Sequence, residues 1–129
     1  MKGVLIDTSV WVDHFRRRNV GLMDLLELDL VLTHPMVLGE LACGTPPAPR
    51  AQTLSDIELL QQTQQASLRE VLSFIEREKL YVLGCGLVDM VLLASTLITP
   101  GAELWTLDKR LTKLSEQFGV MHHPRSQLK

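Results

Sequence analysis

Two short apolar runs, Val4-Leu5-Ile6 and Leu104-Trp105-Thr106-Leu107, each end on an aspartate, Asp7 and Asp108, and each gives way at once to a sequence that can start a helix. A strand that turns directly into a helix is the unit of a parallel sheet, because parallel neighbours need a long crossover and that crossover is usually helical. A third candidate strand, Leu30 to Thr33, is stopped by His34-Pro35, since the residue before a proline is driven out of the helical region. Strands alternating with helices predict an α/β layer structure with a largely parallel sheet. In such sheets ligands bind beyond the carboxyl ends of the strands, where Asp7 and Asp108 stand.

Between these marks the chain reads as follows. A strand is predicted over residues 2–6. Asp7-Thr8-Ser9 then supplies N-cap chemistry for a helix through Phe15, and Arg16-Arg17-Arg18 closes it with charge that suits a helix C-terminus. Leu22, Leu25 and Leu26 form the stripe of a second short helix. A third, over residues 36–43, should end with Gly44 as its C-cap. Gly44 to Pro49 is a loop, followed by a helix from about Thr53 to Gln61 with Ser55 and Glu58 in capping-box spacing. Residues 61–65 leave strand and turn both open. Ser67 and Glu70 repeat the capping-box spacing ahead of a face made by Leu68, Val71, Leu72 and Ile75. Gly84 and Gly86 precede a nearly all-apolar helix over 87–98. A strand over 103–107 and a helix over 109–118, seated on Leu111, Leu114 and Phe118, complete the order. The tail from His122 is polar and is expected to fray.

The 129 residues suit one domain spanning residues 1–129, with 122–129 as a loose tail. An apolar share of 46% with 22% charged argues against disorder. The net charge of −2 gives no overall basic surface, so nucleic-acid contacts would need local patches. Cys43 and Cys85 are too few for a disulfide scaffold and read as buried thiols in a reducing compartment. The absence of a membrane-length apolar run and of a signal-peptide pattern leads us to expect a cytoplasmic protein.

Four carboxylates then need explaining: Asp7, Glu40, Asp89 and Asp108. Asp89 is the only charge between Leu80 and Ile98. An ionised carboxylate among apolar residues is costly unless it is paired or holds a metal, and converging carboxylates suit a hard cation such as Mg²⁺. Each has a bland alternative: a helix cap for Asp7 and Asp108, an exposed helix face for Glu40, a favourable first-turn position for Asp89. That alternative must hold four times at once.

Two acidic-site families fail on spacing. A haloacid dehalogenase-type phosphatase needs an aspartate where Ser9 stands, and a response-regulator receiver needs adjacent acids where Ile6-Asp7-Thr8 has one. Four ordered blocks fit another family: Ile6-Asp7-Thr8-Ser9-Val10-Trp11, Val37-Leu38-Gly39-Glu40-Leu41, the segment from Gly86 to Ala94 around Asp89, and Leu104-Trp105-Thr106-Leu107-Asp108-Lys109-Arg110-Leu111. Together they resemble the PIN-domain ribonucleases, most closely the VapC toxins of toxin–antitoxin pairs, over nearly the whole chain.

The resemblance implies a three-layer α/β/α fold and a divalent-metal-dependent endoribonuclease that hydrolyses RNA phosphodiester bonds. It implies that Asp7, Glu40, Asp89 and Asp108 hold Mg²⁺ or Mn²⁺, with Thr8, Ser9 and Thr106 orienting those carboxylates. It also implies an RNA substrate, a small antitoxin partner and a homodimer. One departure bears on a second metal: many relatives carry a further acid just after the position of Asp108, where this chain has Lys109-Arg110. The other readings of such a chain are an RNA-processing nuclease without an antitoxin, and a non-catalytic RNA- or protein-binding module. Arg16, Arg17, Arg18, Lys109, Arg110 and Lys113 follow two of the acids and are candidates to contact RNA phosphates, against the plainer reading of solvated surface. Asp13 is expected to be solvated. His122 and His123 read as incidental.

Overall fold

The computed structural model describes residues 3–124. In chain order the elements are β1 (Val4–Ile6), α1 (Thr8–Arg17), α2 (Val20–Glu27), β2 (Val31–Thr33), α3 (Pro35–Ala42), α4 (Arg50–Glu58), β3 (Gln61–Gln62), α5 (Leu68–Glu78), a 3-10 turn (Leu80–Leu83), α6 (Leu87–Leu97), β4 (Glu103–Trp105) and α7 (Lys109–Gln117). The sheet order is β3-β2-β1-β4 and every pairing is parallel. The arrangement is the expected PIN-like α/β/α fold with a parallel central sheet. Among the described residues no helix is long and apolar enough to cross a membrane.

The strands hold this order because β1 and β2 are buried at every position, as strands covered by helices on both faces must be. Around them close Val10 and Trp11 of α1, Val37 and Leu41 of α3, Val71 and Phe74 of α5, the run from Met90 to Ala94 of α6, and Leu111 and Leu114 of α7. The apolar character of α6 follows from that burial. The α5 capping box is present: Glu70 N–H donates to Ser67 Oγ (3.1 Å) and Ser67 N–H donates to Glu70 Oε1 (2.7 Å).

Several expectations are corrected. The Ser55/Glu58 capping box does not form, because α4 starts earlier and both residues lie inside it. Arg50 starts it, donating to the backbone oxygens of Gly44 and Ala42 and so also satisfying the end of α3. Cys43, not Gly44, caps α3. On α5 the buried face turns on Val71 and Phe74, while Leu68 and Leu72 are exposed. Gln61–Gln62 resolves as a short edge strand. The last strand stops at Trp105, because the Leu107 N–H is taken by Ser9 Oγ at 3.0 Å. The tail is not loose at its start. Leu104 N–H donates to Val120 O, His122 N–H donates to Leu104 O, and the His122 ring meets Glu103 Oε1 at 3.0 Å. Residues 125–129 lie outside the described part. Cys43 is exposed and Cys85 half-buried.

Candidate metal centre

The site starts from the register of β1 against β4. Ile6 pairs with Trp105, so the next residues, Asp7 and Thr106, leave the sheet side by side. Asp7 is 6% exposed, and it is not merely a helix cap: its carboxylate makes no capping bond to α1. Its Oδ2 instead accepts from Ser9 Oγ and from Thr106 Oγ1, each at 2.7 Å. Each hydroxyl is fixed in turn by a backbone amide: Leu107 N–H donates to Ser9 Oγ at 3.0 Å and Asp108 N–H to Thr106 Oγ1 at 3.1 Å. With each hydroxyl oxygen already accepting from an amide, the two protons are aimed at Asp7. Both donors use Oδ2, which leaves Oδ1 to accept from elsewhere.

Asp108 does cap α7, its Oδ1 accepting from Leu111 N–H at 2.9 Å. Its other oxygen remains available to the site, so the cap reading and the site reading are both compatible with it. Glu40 lies on the exposed side of α3, yet Thr8 Oγ1 donates to its Oε1 at 2.6 Å. That bond joins the start of α1 to α3.

Asp89 sits in the first turn of α6, half-buried. Burial pushes its carboxyl up to about 6, and the charges of Asp7, Asp108 and Glu40 push the same way, against a hydrogen bond from the Gly86 backbone amide. All three other acids are therefore close enough to act on it, and four carboxylates from four segments share one field. Among the described residues, no group of three or more His, Cys, Asp or Glu side chains is already gathered tightly enough to hold a metal ion. The donor set fits a hard divalent cation in chemistry: all oxygen, one carboxylate anchored by hydroxyls, one whose charge is disfavoured as it stands.

Two residues outside the sequence expectations belong to this corner. Cys85 lies near enough to Asp89 and Asp108 that burial and both charges raise its thiol, opposed by Arg110. Gly84, at φ +75°, gives its carbonyl to Arg110 Nη1 at 2.9 Å. No spacing rule flags a cysteine four residues before an acid; only the fold brings it here.

Of the six basic candidates, Arg16, Arg17, Arg18, Lys109, Arg110 and Lys113 are all exposed. Arg17 pairs with Asp13 at 2.7 Å, Arg18 reaches Met23 Sδ at 3.8 Å, and Arg110 is held by Gly84. Arg16 lines two open grooves, one of about 510 Å³ with Thr8 and Glu40, the other of about 440 Å³ with Ser9 and Leu107. Asp13 is not simply solvated. Hydrogen bonds from Arg17 and Asn19 hold it below the usual carboxylate range.

No protein-family model matches the chain. Two curated relatives do, both called ribonuclease VapC32, from the CDC 1551 / Oshkosh and ATCC 25618 / H37Rv strains of Mycobacterium tuberculosis. Each is 39% identical over 117 residues, covering 91% of this chain and 94% of the relative. This chain belongs to the VapC ribonuclease family. As a VapC-type PIN protein it has the fold expected from its four ordered blocks, and the aligned length leaves little of either chain unmatched.

Proposed function

We propose that this VapC-family chain is a divalent-metal-dependent endoribonuclease acting as the toxin of a toxin–antitoxin pair. The observation that carries the reading is the placement of Asp89, whose carboxyl is raised first by burial and then by the charges of Asp7, Asp108 and Glu40, a cost that a cation would relieve. The family membership supplies the substrate class, RNA, and the hydrolase chemistry.

Asp7, through Oδ1, and Asp89 would hold Mg²⁺ or Mn²⁺, with Glu40 and Asp108 completing the acidic set, directly or through water. Such an ion, when bound, supplies positive charge for a phosphoryl oxygen and lowers the pKa of a water. The chain's own residues do the rest. Ser9 and Thr106 keep the Asp7 carboxylate in one orientation. Thr8 keeps Glu40 turned toward α1. The basic side chains, Arg16 foremost because it borders both grooves, would offset the repulsion between an acidic site and a polyanion.

Two surfaces support the partner reading. An open, mostly apolar groove of about 460 Å³ is lined by Trp11, Phe15, Leu26, Ile57 and Leu60, with His14 and Asp56 among its polar members. A segment that folds on binding could fill it. Leu72, Tyr81, Val82, Leu83 and Leu87 are exposed on α5, the 3-10 turn and the start of α6, which favours a homodimer through that face.

The test is RNA cleavage by purified protein with excess chelator, then with Mg²⁺ or Mn²⁺ restored, beside growth of cells expressing the wild type or Asp7→Asn. Cleavage lost with chelator and recovered with either ion is expected, as is growth arrest by the wild type alone. Full cleavage in chelator removes the metal. Equal growth of the two strains removes the toxin role and leaves the nuclease.

A further inference from the structure

We infer that His34 is a positioning residue for the acidic site, acting through its bond to Ser95 to set α3, which carries Glu40, against α6, which carries Asp89. The inference rests on the metal reading above.

His34 follows β2 and is buried, 3% exposed, with its ring engaged at both nitrogens. Nδ1 accepts from Met36 N–H at 3.0 Å and so caps α3. An Nδ1 that accepts carries no proton, which places the neutral ring's proton on Nε2 and makes Nε2 the donor to Ser95 Oγ, 3.1 Å away. Burial lowers the basicity of this imidazole and so favours that neutral form. Ser95 is fully buried and its Oγ also accepts from Ala66 N–H at 3.1 Å, just ahead of the Ser67 cap of α5. Thr99 ties the same loop again, donating to Ser95 O at 2.7 Å and accepting from Gln64 N–H at 2.9 Å.

A helix start needs a cap, and asparagine or serine would serve better than histidine. What histidine adds is reach, since its second nitrogen spans to the neighbouring helix. Helices α3 and α6 pack together, and this is the side-chain hydrogen bond between them among the described residues. Glu40 lies six residues beyond His34 and Asp89 six residues before Ser95, so each carboxylate sits at the end of a lever about 9 Å long, at 1.5 Å rise per residue. A swing of ~10° at the shared bond would move either acid by more than 1 Å, on the scale at which misplacement costs catalysis.

The two nitrogens can be replaced separately. His34→Asn keeps an acceptor in the Nδ1 position and a strong cap, but is too short to reach Ser95. His34→Gln keeps a donor in the Nε2 position and forfeits the cap. Ser95→Ala removes the same interhelical bond, together with the one from Ala66 N–H, and leaves the cap of α3 alone. Mn²⁺ affinity by calorimetry, thermal melting and RNA cleavage are measured on all three. Expected is a crossover. His34→Asn and Ser95→Ala weaken Mn²⁺ binding roughly tenfold and lower kcat with KM for RNA unchanged. His34→Gln binds Mn²⁺ within about twofold of wild type despite a lower Tm. Affinity that simply follows Tm across the three overturns the inference, as does wild-type affinity in Ser95→Ala. A wild type that binds no Mn²⁺ overturns the metal reading itself, which separates that failure from this one.

Discussion

Asp7 is clasped by two hydroxyls, each steadied by a backbone amide, whereas Asp89 meets burial and three other carboxylates with only the Gly86 backbone amide in its favour. The contrast divides the work of an acidic site. Asp7 is a rigid anchor, because moving it means breaking bonds that run into β4 and the start of α7. On the proposed metal reading Asp89 would gain from an arriving cation, because burial and the neighbouring carboxylates disfavour its charge. A site built only of anchors would bind a cation with little response to it; a site built only of repelling acids would have no fixed geometry.

The sharpest way to break this comparison is to neutralise each member. Asp7→Asn and Asp89→Asn should each reduce RNA cleavage by on the order of 10²–10³ or more, since each removes a preorganised charge. Their stabilities should part company. Asp89→Asn should raise the stability of the metal-free protein at neutral pH by about 1–2 kcal/mol, after allowing for solvent screening of a half-exposed group. Asp7→Asn should bring no such gain, because the amide oxygen, though it can take the Oδ2 position, accepts from Ser9 and Thr106 as a neutral group and so more weakly than the carboxylate does. Thermal melting beside a cleavage assay decides this, and equal stabilisation of the two variants would erase the distinction.

Next in size is the anchor's support. Ser9→Ala with Thr106→Val should lower metal affinity or activity by ~10–100-fold while Asp7 remains in place. Wild-type activity in that pair would show that Asp7 needs no orienting hydroxyls.

The pH dependence of stability sharpens the Asp89 side. Its folded carboxyl is raised from 3.8 to about 6, so in that window the folded chain keeps a proton that the unfolded chain has released. The contribution of Asp89 to metal-free stability should therefore fall as pH rises from about 4 to about 6, then stay level. Asp89→Asn should lack that fall, and Mg²⁺ at neutral pH should offset it. Urea unfolding across this range, with and without Asp89→Asn, reads the difference directly; superimposable pH curves would refute it.

The smallest effect concerns residues outside the acidic set. On the inactive Asp7→Asn background, removing charge at Arg16 should flatten the salt dependence of RNA binding by about one unit of slope per lost phosphate contact. Arg17→Gln should change it less, since Arg17 is already paired with Asp13. The set of cleavage positions in active protein should be unaltered, because phosphate contacts carry no base information. An equal change for both arginines would mean that the internal pairing does not hold Arg17 back.

The elements legible in the chain were those with local causes. Ser67 and Glu70 lie three residues apart and form their capping box wherever that helix is placed. The apolar runs ending at Asp7 and Asp108 carry the strand-to-helix turns within themselves, and the four acidic blocks pointed to both fold and family. Readings failed where a distant group won. Arg50 moved the start of α4 back from Thr53, the backbone of β4 captured His122, and the turning of α5 onto Phe74 left Leu68 and Leu72 in solvent.

The sequence by itself determined the parallel α/β plan and which carboxylates were candidates, because hydrophobic period, turn chemistry and cap spacing act over a few residues. The tertiary structure alone decided how those carboxylates are held. Thr106 reaches Asp7 across 99 residues of chain only because Ile6 pairs with Trp105, and His34 reaches Ser95 only because α3 and α6 pack together. Side-chain geometry between remote segments depends on register and packing, which no local pattern encodes.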